Sequence, residues 1–373
     1  MGNPKVSIII PSYNHEQYIG ECITSVLNQT FNDFELIIID DCSKDNSVKE
    51  IEKFKDQRIK FYKNDVNMGA VLTTNFGISL CQGEYIAILN SDDSWVNEKL
   101  ELQVKVLDTM KEVGAVFSDV KFINENNIEL NSSTYQWADV FKQENRSHSL
   151  WLRRFFFEFN CLCHPSILIR SKIYKETNLY NPALRQLPDF FMWVQILKFT
   201  EIYILPDKLV LFKILSNNQN ASADTIVNKN RTRNEIYLVM KDFFDGMDSK
   251  TFLEGFGDLI KKKNKELTVD EIKCEQAFMF LNMNSEVDYI YRLIAMEQFY
   301  KLLANHDTRD VLKNEYNFSD KDYFQMTGEF GFIDLKQNNL STIVVENTKK
   351  HFENKPTYYT LLRKIYRKFK NKR

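Results

Sequence analysis

The sequence has no marked excess of charge of either sign and few glycines. Its 373 residues include 49 lysines and arginines, 51 aspartates and glutamates and 11 glycines, with a formal net charge of -2. A general nucleic-acid binder needs a basic excess to contact phosphates, so we expect no nucleic acid among the partners. The first strand-like segment is not followed by a Gly-x-Gly-x-x-Gly turn, and no Gly-Lys-Ser/Thr phosphate loop is present, which excludes both of these nucleotide sites.

Long apolar runs and closely spaced cysteines are also lacking. No stretch approaches the roughly 18 uninterrupted apolar residues of a membrane-spanning helix. Met1 leads directly into a strand-like segment, without a secretory signal. The six cysteines are dispersed along the chain, unlike the disulfide framework of a small secreted domain. We therefore expect a cytoplasmic protein, whose 43% of hydrophobic residues is ample for a packed core.

The first third of the sequence alternates apolar, β-rich runs with stretches of helical periodicity. This alternation predicts right-handed crossovers and an α/β fold with a doubly wound, mostly parallel sheet. Beyond about residue 222 helical periodicity takes over. We expect an α/β domain over residues 1–222, a smaller helical domain over 223–348 and a basic amphipathic tail over 349–373. The predicted strands of the first third are 6–10, 36–39, 59–62, 85–89 and 115–117.

The tail, residues 349–373, contains ten basic residues and one acidic residue, Glu353. Its apolar residues fall on one helical face, as in helices that lie on anionic membranes. Many terminal helices with this pattern instead pack against their own chain or against a second subunit. Two hypotheses follow: peripheral binding to the inner face of a membrane, or homo-oligomerisation through the C-terminal region. The apolar residues are Leu361, Leu362, Ile365, Tyr366 and Phe369.

Polar segments follow four of the predicted strands. In open sheets of this kind, ligands bind in the crevice outside the carboxyl ends of the strands. These segments therefore predict the position of a binding site. They are Pro11-Ser12-Tyr13-Asn14, Asp40-Asp41-Cys42-Ser43, Asn67-Met68-Gly69 and Asn90-Ser91-Asp92-Asp93.

The adjacent carboxylates of Asp92 and Asp93 end an apolar strand and repel each other unless a cation or a donor group relieves the repulsion. Hard oxygen ligands suit Mg²⁺ or Mn²⁺, which take their remaining ligands from water and a substrate diphosphate. The alternative interpretation is a polar turn that caps the helix beginning near Asn97. Likewise, Asp40 and Asp41 either bind a ribose hydroxyl or a base N–H or cap the next helix, and Tyr13 could lie against a base.

Asp189 lies at the start of a predicted helix among Phe190, Phe191 and Trp193. Partial desolvation there would raise the pKa of its carboxyl toward that of a useful general base. The alternative is an ordinary helix cap after a proline. The segment Cys161-x-Cys163-His164 has no second cluster to complete a structural zinc site, but His164 precedes a strand and is expected to line the site.

Taken in order, these motifs resemble those of glycosyltransferase family 2, the inverting enzymes of GT-A fold. The resemblance covers residues 1 to about 222. It implies an enzyme, a glycosyltransferase of bacterial type that moves one sugar from a nucleotide sugar, most often UDP-linked, to a hydroxyl of a saccharide, lipid-linked saccharide or glycoprotein. The segments that carry it are Val6–Asn14, Ser25–Thr30, Ile39–Asp45, Asn67–Gly69, Gly83–Ile86, Asn90–Asp93 and Pro188–Trp193.

The resemblance also implies roles for individual residues. Asp189 would be the catalytic base, Asp93 would bind Mn²⁺ or Mg²⁺, and Asp92 would contact the ribose or the sugar. The base of the nucleotide would be held by Pro11, Tyr13 and Asp41. We expect the remaining contacts to the nucleotide sugar from Asn14, Asn67, Asn75 and His164.

Four positions depart from the usual pattern of the family. Asn90 replaces the first Asp of the acidic motif, and Thr74, Gln195 and Lys213 stand where Arg is frequent. The reduced positive charge leaves the identity of the donor sugar open. Two other functions remain as alternatives: a non-catalytic subunit that binds nucleotide sugar in a transferase complex, and a sugar-nucleotide pyrophosphorylase. The second would need a basic, glycine-rich loop near the N-terminus, which the sequence lacks.

Overall fold

A computed structural model describes residues 2–216, 220, 222–223, 225–263, 266–283 and 287–329. The described residues divide into two units, one that ends at Tyr316 and one that begins at Asn317. In the described part of the chain, no helix is both long enough and apolar enough to span a membrane. The tail predicted over residues 349–373 lies outside the described residues.

The first unit is built around an eight-stranded mixed sheet. Its strands are β1 (Val6–Ser12), β2 (Phe34–Asp40), β3 (Ile59–Lys63), β4 (Tyr85–Ile88), β5 (Ser94–Trp95), β6 (Val113–Asn124), β7 (Leu168–Arg170) and β8 (Glu201–Ile214). They lie in the order β3-β2-β1-β4-β7-β6-β8-β5. Parallel pairing joins β1 to β2 and β4, β2 to β3, and β6 to β8, whereas β7 and β5 run antiparallel to their neighbours. The predicted α/β fold with a mostly parallel sheet is confirmed.

The apolar runs of the sequence form the central strands. Ile8, Ile9 and Ile10 in β1 and Ile37–Ile39 in β2 are fully buried, as expected where helices cover both faces of a sheet. The sequence pattern predicted separate strands at 202–204 and 208–215, but β8 is continuous. Its pairing with β6 shifts register where Leu205 and Lys208 pair with consecutive residues. The resulting bulge accommodates Pro206, which has no N–H to donate to the ladder.

Helices connect and cover the strands. Within the described residues of the first unit they are α1 (Ile19–Leu27), α2 (Ser47–Ile51), α3 (Ala70–Leu80), α4 (Lys99–Thr109), α5 (His148–Glu158), α6 (Ser171–Glu176), α7 (Pro188–Leu197), α8 (Ile226–Met240), α9 (Ser249–Phe256), α10 (Val269–Leu281), α11 (Asp288–Ala304) and α12 (His306–Tyr316). A 3₁₀ turn covers His164–Ser166. In the second unit the described helix is α13 (Asp320–Glu329).

The helices after β8 pack on α5 through an aromatic cluster. The ring of Phe156 lies 5.2 to 5.7 Å, between centroids, from five aromatic rings of the helical region. The Tyr291 hydroxyl also donates a hydrogen bond of 2.6 Å to the Phe156 carbonyl oxygen. Residues 223–316 thus belong to the same compact unit as the sheet, and a domain boundary at 222 stays a prediction. The five rings belong to Phe243, Phe244, Phe256, Phe280 and Tyr291.

Candidate active site

The carboxyl ends of the parallel strands β1 and β2 lie side by side. Ser12 pairs with Asp40, and the backbone N–H of Asp41 donates a hydrogen bond of 2.8 Å to the Ser12 carbonyl oxygen. Ser12 Oγ and Asp40 Oδ1 are buried and have no hydrogen-bond partner among the described residues. Buried polar atoms are normally paired, so a bound polar molecule would supply the missing partner here.

The Asp41 carboxylate is an acceptor for the loop that leads into α3. It accepts hydrogen bonds of 2.8 Å from the backbone N–H groups of Met68 and Gly69 and from Asn64 Nδ2. Gly69, at a φ of +85°, makes the turn into the helix. Asn67 Nδ2 donates to the Asp41 carbonyl oxygen at 3.1 Å. Through these hydrogen bonds, Asp41 and Asn67 fix the shape of the crevice.

The loop after β1 joins the loop after β2. Asn14, at a φ of 53°, donates its N–H to Ser43 Oγ at 2.9 Å and accepts the Lys44 N–H on Oδ1 at 2.7 Å. Tyr13, directly before it, is 42% exposed, so its ring is accessible to a planar ligand. Pro11 lies within β1 opposite Ile39. These residues stand at one edge of the sheet, as the sequence predicts.

The acidic pair follows β4. Asp93 is 2% exposed. It accepts the backbone N–H of Lys213 at 2.8 Å and Asn90 Nδ2 at 3.0 Å. Burial raises the pKa of its carboxyl well above the usual range, and the charge of Asp92 raises it further. Burial raises the pKa of Asp92 as well, while the nearby His15 opposes that rise. The raised pKa values mean that the surrounding protein does not offset the negative charge of these two carboxylates when both are ionised.

This acidic pair fits a divalent cation. Carboxylate oxygens are the ligands that Mg²⁺ and Mn²⁺ prefer, and a cation would offset the unbalanced charge of Asp92 and Asp93. Among the residues that the structure describes, no group of three or more His, Cys, Asp or Glu side chains is arranged to hold a metal ion. A cation at the pair would therefore take most of its ligands from water and from a bound diphosphate.

Asp189 lies in the first turn of α7. Its Oδ1 accepts the Phe190 N–H at 2.8 Å and its Oδ2 accepts Asn160 Nδ2 at 2.9 Å. Burial raises the pKa of the carboxyl to about 6, although both hydrogen bonds lower it. A carboxylate with such a pKa is ionised at neutral pH and still accepts a proton readily, which suits a general base.

His164 and Asn75 contact the segment that precedes α7. His164 Nε2 is 3.0 Å from the Tyr180 hydroxyl, which is also 3.0 Å from the Tyr174 hydroxyl. Burial lowers the pKa of His164 to about 4, so the ring is neutral at pH 7. The Asn75 amide donates to the Tyr180 carbonyl oxygen at 2.8 Å and accepts the Tyr180 N–H at 3.1 Å. Both residues therefore support the path of the chain toward Asp189.

Cys163 links the acidic pair to Asp189. Burial is the main reason that the pKa of its thiol is well above the usual value, and the charges of Asp93 and Asp189 both raise it further. The turn after Cys163 contacts both sides of this region. The ring centroid of His164 lies 5.9 Å from that of Trp193 in α7, and Trp95 Nε1, two residues after Asp93, donates to the Pro165 carbonyl oxygen at 2.9 Å. The acidic pair and the partly buried Asp189 therefore lie in one region of the structure, although β4 and α7 are far apart in the sequence.

Two residues of this region were not found from the sequence. Asn160 donates to Asp189, and Asn220 Nδ2 donates to Asp92 Oδ2 at 3.3 Å. Neither asparagine belongs to a periodic pattern or to one of the polar segments that follow the predicted strands. A local signal for Asn160 is the preceding Phe159, whose φ of 61° ends α5 and turns the chain toward α7.

The described residues combine an α/β fold of GT-A type with an acidic pair after one strand and the partly buried carboxylate of Asp189. Residues 7–177 match the family described as Glycosyl transferase family 2. This match, over somewhat less than half of the chain, confirms the resemblance seen in the sequence. The match ends before α7 and β8, which contribute Asp189 and the backbone N–H of Lys213 that donates to Asp93.

Curated relatives that are named as glycosyltransferases are found in bacteria and archaea. An uncharacterized glycosyltransferase of Methanocaldococcus jannaschii is 34% identical over 202 residues, 52% of this chain and 65% of the relative. The Escherichia coli protein WfgD, named as UDP-Glc:alpha-D-GlcNAc-diphosphoundecaprenol beta-1,3-glucosyltransferase, is 39% identical over 123 residues, 33% of this chain and 48% of WfgD. The chain thus spans between about half and two thirds of the length of these two relatives.

Solved structures support the fold. TarS residues 1-349 of S. aureus, in complex with UDP-GlcNAc, aligns with a TM-score of 0.53 at 18% identity and covers 84% of this chain and 91% of that chain. A structure of the same protein without a named ligand aligns with a TM-score of 0.52, also at 18% identity, and covers 88% of this chain and 94% of that chain. At such low identity the likeness establishes the fold alone.

Proposed function

We propose that this protein is an inverting glycosyltransferase that moves one sugar from a UDP-linked donor to a hydroxyl of a saccharide or lipid-linked saccharide. The observation that carries the proposal is the partly buried Asp189, whose pKa is raised to about 6 and which lies in the same region as the acidic pair. The name of WfgD, with a UDP-linked donor and a lipid-linked saccharide acceptor, supports this choice of substrates.

The donor lies at the carboxyl ends of β1, β2 and β4 in this proposal. The exposed ring of Tyr13 stacks on the nucleotide base, and the unpaired Ser12 Oγ and Asp40 Oδ1 face polar atoms of the nucleoside. Asp92 and Asp93 hold a divalent cation, which supplies positive charge against the diphosphate. The burial of Asp93 and the raised pKa values of both carboxylates support this placement.

Asp189 carries the proton transfer. Its ionised carboxylate accepts the proton of the acceptor hydroxyl while that oxygen forms a bond to the anomeric carbon. The bond between the anomeric carbon and the diphosphate oxygen breaks at the same time, and the nucleoside diphosphate leaves with the electron pair. Because the attack comes from the face opposite the leaving group, a single displacement inverts the configuration. Asn160 holds Asp189 in orientation through its hydrogen bond to Oδ2.

The test is to incubate the protein with a panel of UDP-sugars and saccharide acceptors in Mn²⁺ or Mg²⁺. We expect release of UDP from one donor and a product whose anomeric configuration, read by NMR, is inverted. A product of retained configuration contradicts the single displacement. If UDP binds in calorimetry but no donor in the panel is consumed, the non-catalytic binding subunit is the better hypothesis.

A further inference from the structure

Glu235 of α8 contacts the start of α7 from outside the residues matched by the family. Its side chain is buried, with 4% of the residue exposed. One carboxylate oxygen accepts the backbone N–H of Arg185 at 2.9 Å, and the other accepts those of Gln186 at 2.7 Å and Leu187 at 2.8 Å. A single carboxylate thus fixes three consecutive peptide groups immediately before Pro188.

The start of α7 has no cap from its own sequence. The residue at the N-cap position is Leu187, whose side chain has no acceptor atom, and no side-chain cap hydrogen bond is formed locally. Peptide N–H groups at the start of a helix need an acceptor, and the partial positive charge there favours an anion. Glu235 accepts the N–H of the N-cap residue Leu187 from a different helix, and its carboxylate places negative charge at that end of α7. Asp189 lies only two residues after Leu187, in the first turn of the helix.

We propose that Glu235 is a positioning residue for Asp189: by fixing residues 185–187 it sets the place and orientation of the base at the start of α7. This inference rests on the proposed function, in which Asp189 receives the proton of the acceptor. A displacement of a reacting group by about 1 Å can cost roughly 100-fold in rate. The three hydrogen bonds of Glu235 prevent such a displacement.

The charge of Glu235 also acts on Asp189. Burial is the main cause of the raised pKa of Asp189, and the negative charge of Glu235 adds to it. Two further titratable groups that interact with Asp189 are Tyr180 and Cys163, whose pKa values lie well above the usual values, so both are neutral at pH 7. The donors that face it, the Phe190 N–H and Asn160 Nδ2, lower its pKa. Removing the charge of Glu235 should therefore lower the pKa of Asp189.

The experiment compares Glu235→Gln with the parent protein by NMR of aspartate side chains labelled with ¹³C at the carboxyl carbon. The Asp189 signal is assigned as the one missing from Asp189→Asn. We expect a titration midpoint near 6 in the parent and a lower midpoint in Glu235→Gln. An unchanged midpoint in the folded variant overturns the inference. This measurement needs no substrate, so it stands apart from the proposed function, which fails if Asp189→Asn transfers sugar at the parent rate.

Glu275→Gln is the matched control. Glu275 is also buried and also accepts two backbone N–H groups, those of Lys261 and Lys262, each at 2.8 Å. We expect this variant to lose stability but to keep the parent midpoint of Asp189. A shift equal to that of Glu235→Gln would mean that any lost backbone contact moves the pKa, and would overturn the inference.

Glu235→Asp tests the positioning alone and serves if the Gln variant does not fold. It keeps the charge but shortens the side chain by one methylene, so it cannot reach all three N–H groups at once. We expect turnover to fall by about 10-fold or more, with the midpoint of Asp189 and the KM for the donor near those of the parent. Parent turnover in Glu235→Asp contradicts the positioning role.

Discussion

The side chain of Asn75 forms two hydrogen bonds with the peptide groups of Tyr180, 105 positions later in the chain. The amide acts as donor and acceptor at once, as a neighbouring strand would. It connects α3, next to the crevice, to the segment that leads to Asp189. The expected contact between Asn75 and the donor stays a prediction, and it competes with this use of both amide atoms.

Replacement of Asn75 should therefore affect stability more than donor binding. In Asn75→Ala the buried peptide groups of Tyr180 lose their partners, and we expect the free energy of unfolding to fall by about 2 kcal/mol. Urea denaturation measures this loss, and calorimetry with UDP measures binding. The control is Asn67→Ala, which removes one bond from an exposed side chain and should cost less. Loss of UDP binding with unchanged stability would favour direct contact with the donor.

Asp93 should determine the metal dependence of UDP binding. We expect Asp93→Ala to weaken the affinity for UDP strongly in Mn²⁺ and little in a chelator, because the cation would no longer join the carboxylate to the diphosphate. Isothermal titration calorimetry under both conditions is the measurement. Asp119→Ala, at another buried aspartate, is the control and should keep the metal effect. Equal affinities of parent and Asp93→Ala in Mn²⁺ would rule out the assignment.

Asp189 should limit the rate at acid pH. Since its carboxyl has a pKa of about 6, kcat should fall as the pH decreases through 6 and the base becomes protonated. Asp189→Asn keeps the size of the side chain but cannot accept the proton, and we expect turnover to fall by roughly 100-fold or more with donor binding retained. The measurement is the pH profile of sugar transfer for both proteins.

A second aspartate, Asp248, serves as a control that distinguishes a helix-capping role of Asp189 from a role as the base. Asp248 caps α9 through a hydrogen bond from the Thr251 N–H and lies at the start of a helix, like Asp189. Asp248→Asn should lower stability and leave the pH profile unchanged. If both variants lose stability alike and neither loses turnover, Asp189 is a cap and another residue is the base.

His164 should make the protein less stable in acid. Its pKa is about 4 in the folded protein and about 6.5 when unfolded, so the folded state favours the neutral ring. Above pH 6.5 the ring is neutral in both states, and the free energy of unfolding is not reduced. As the pH falls from 6.5 to about 4, the unfolded state takes up a proton that the folded state does not, and the free energy of unfolding falls by about 3 kcal/mol in total. Urea denaturation between pH 7 and 4 should show a smaller loss for His164→Gln, which does not titrate. Parallel stability curves for the two proteins would contradict the expectation.

Much of the sheet follows from the sequence because burial on both faces leaves a direct signal. The isoleucine runs of β1 and β2, and the alternation of strands and helices, predict the architecture without knowledge of any contact. The same logic places the acidic pair, since residues after parallel strands meet at one edge. Asp189 was found because it begins an apolar helical segment.

The partners of these residues were not predictable in the same way. Asn160, Asn220 and Glu235 reach their targets across 29, 128 and up to 50 positions of the chain. Such contacts depend on how helices pack, and a single polar residue in a helix or loop looks the same whether it faces solvent or a buried peptide group. Periodicity carries no information on that choice.

The hydrogen bond from the Lys213 N–H to Asp93 comes from the main chain of β8, 120 positions after the aspartate. Among side-chain replacements at 213, only proline removes that donor. The environment of the acidic pair therefore depends on a strand outside the matched residues. A fragment that ends at residue 177 would contain all the residues matched by the family and both aspartates, but it would lack β8, which donates the hydrogen bond to Asp93. A fragment or chimera that is meant to keep the environment of Asp93 should therefore carry β8 together with β4.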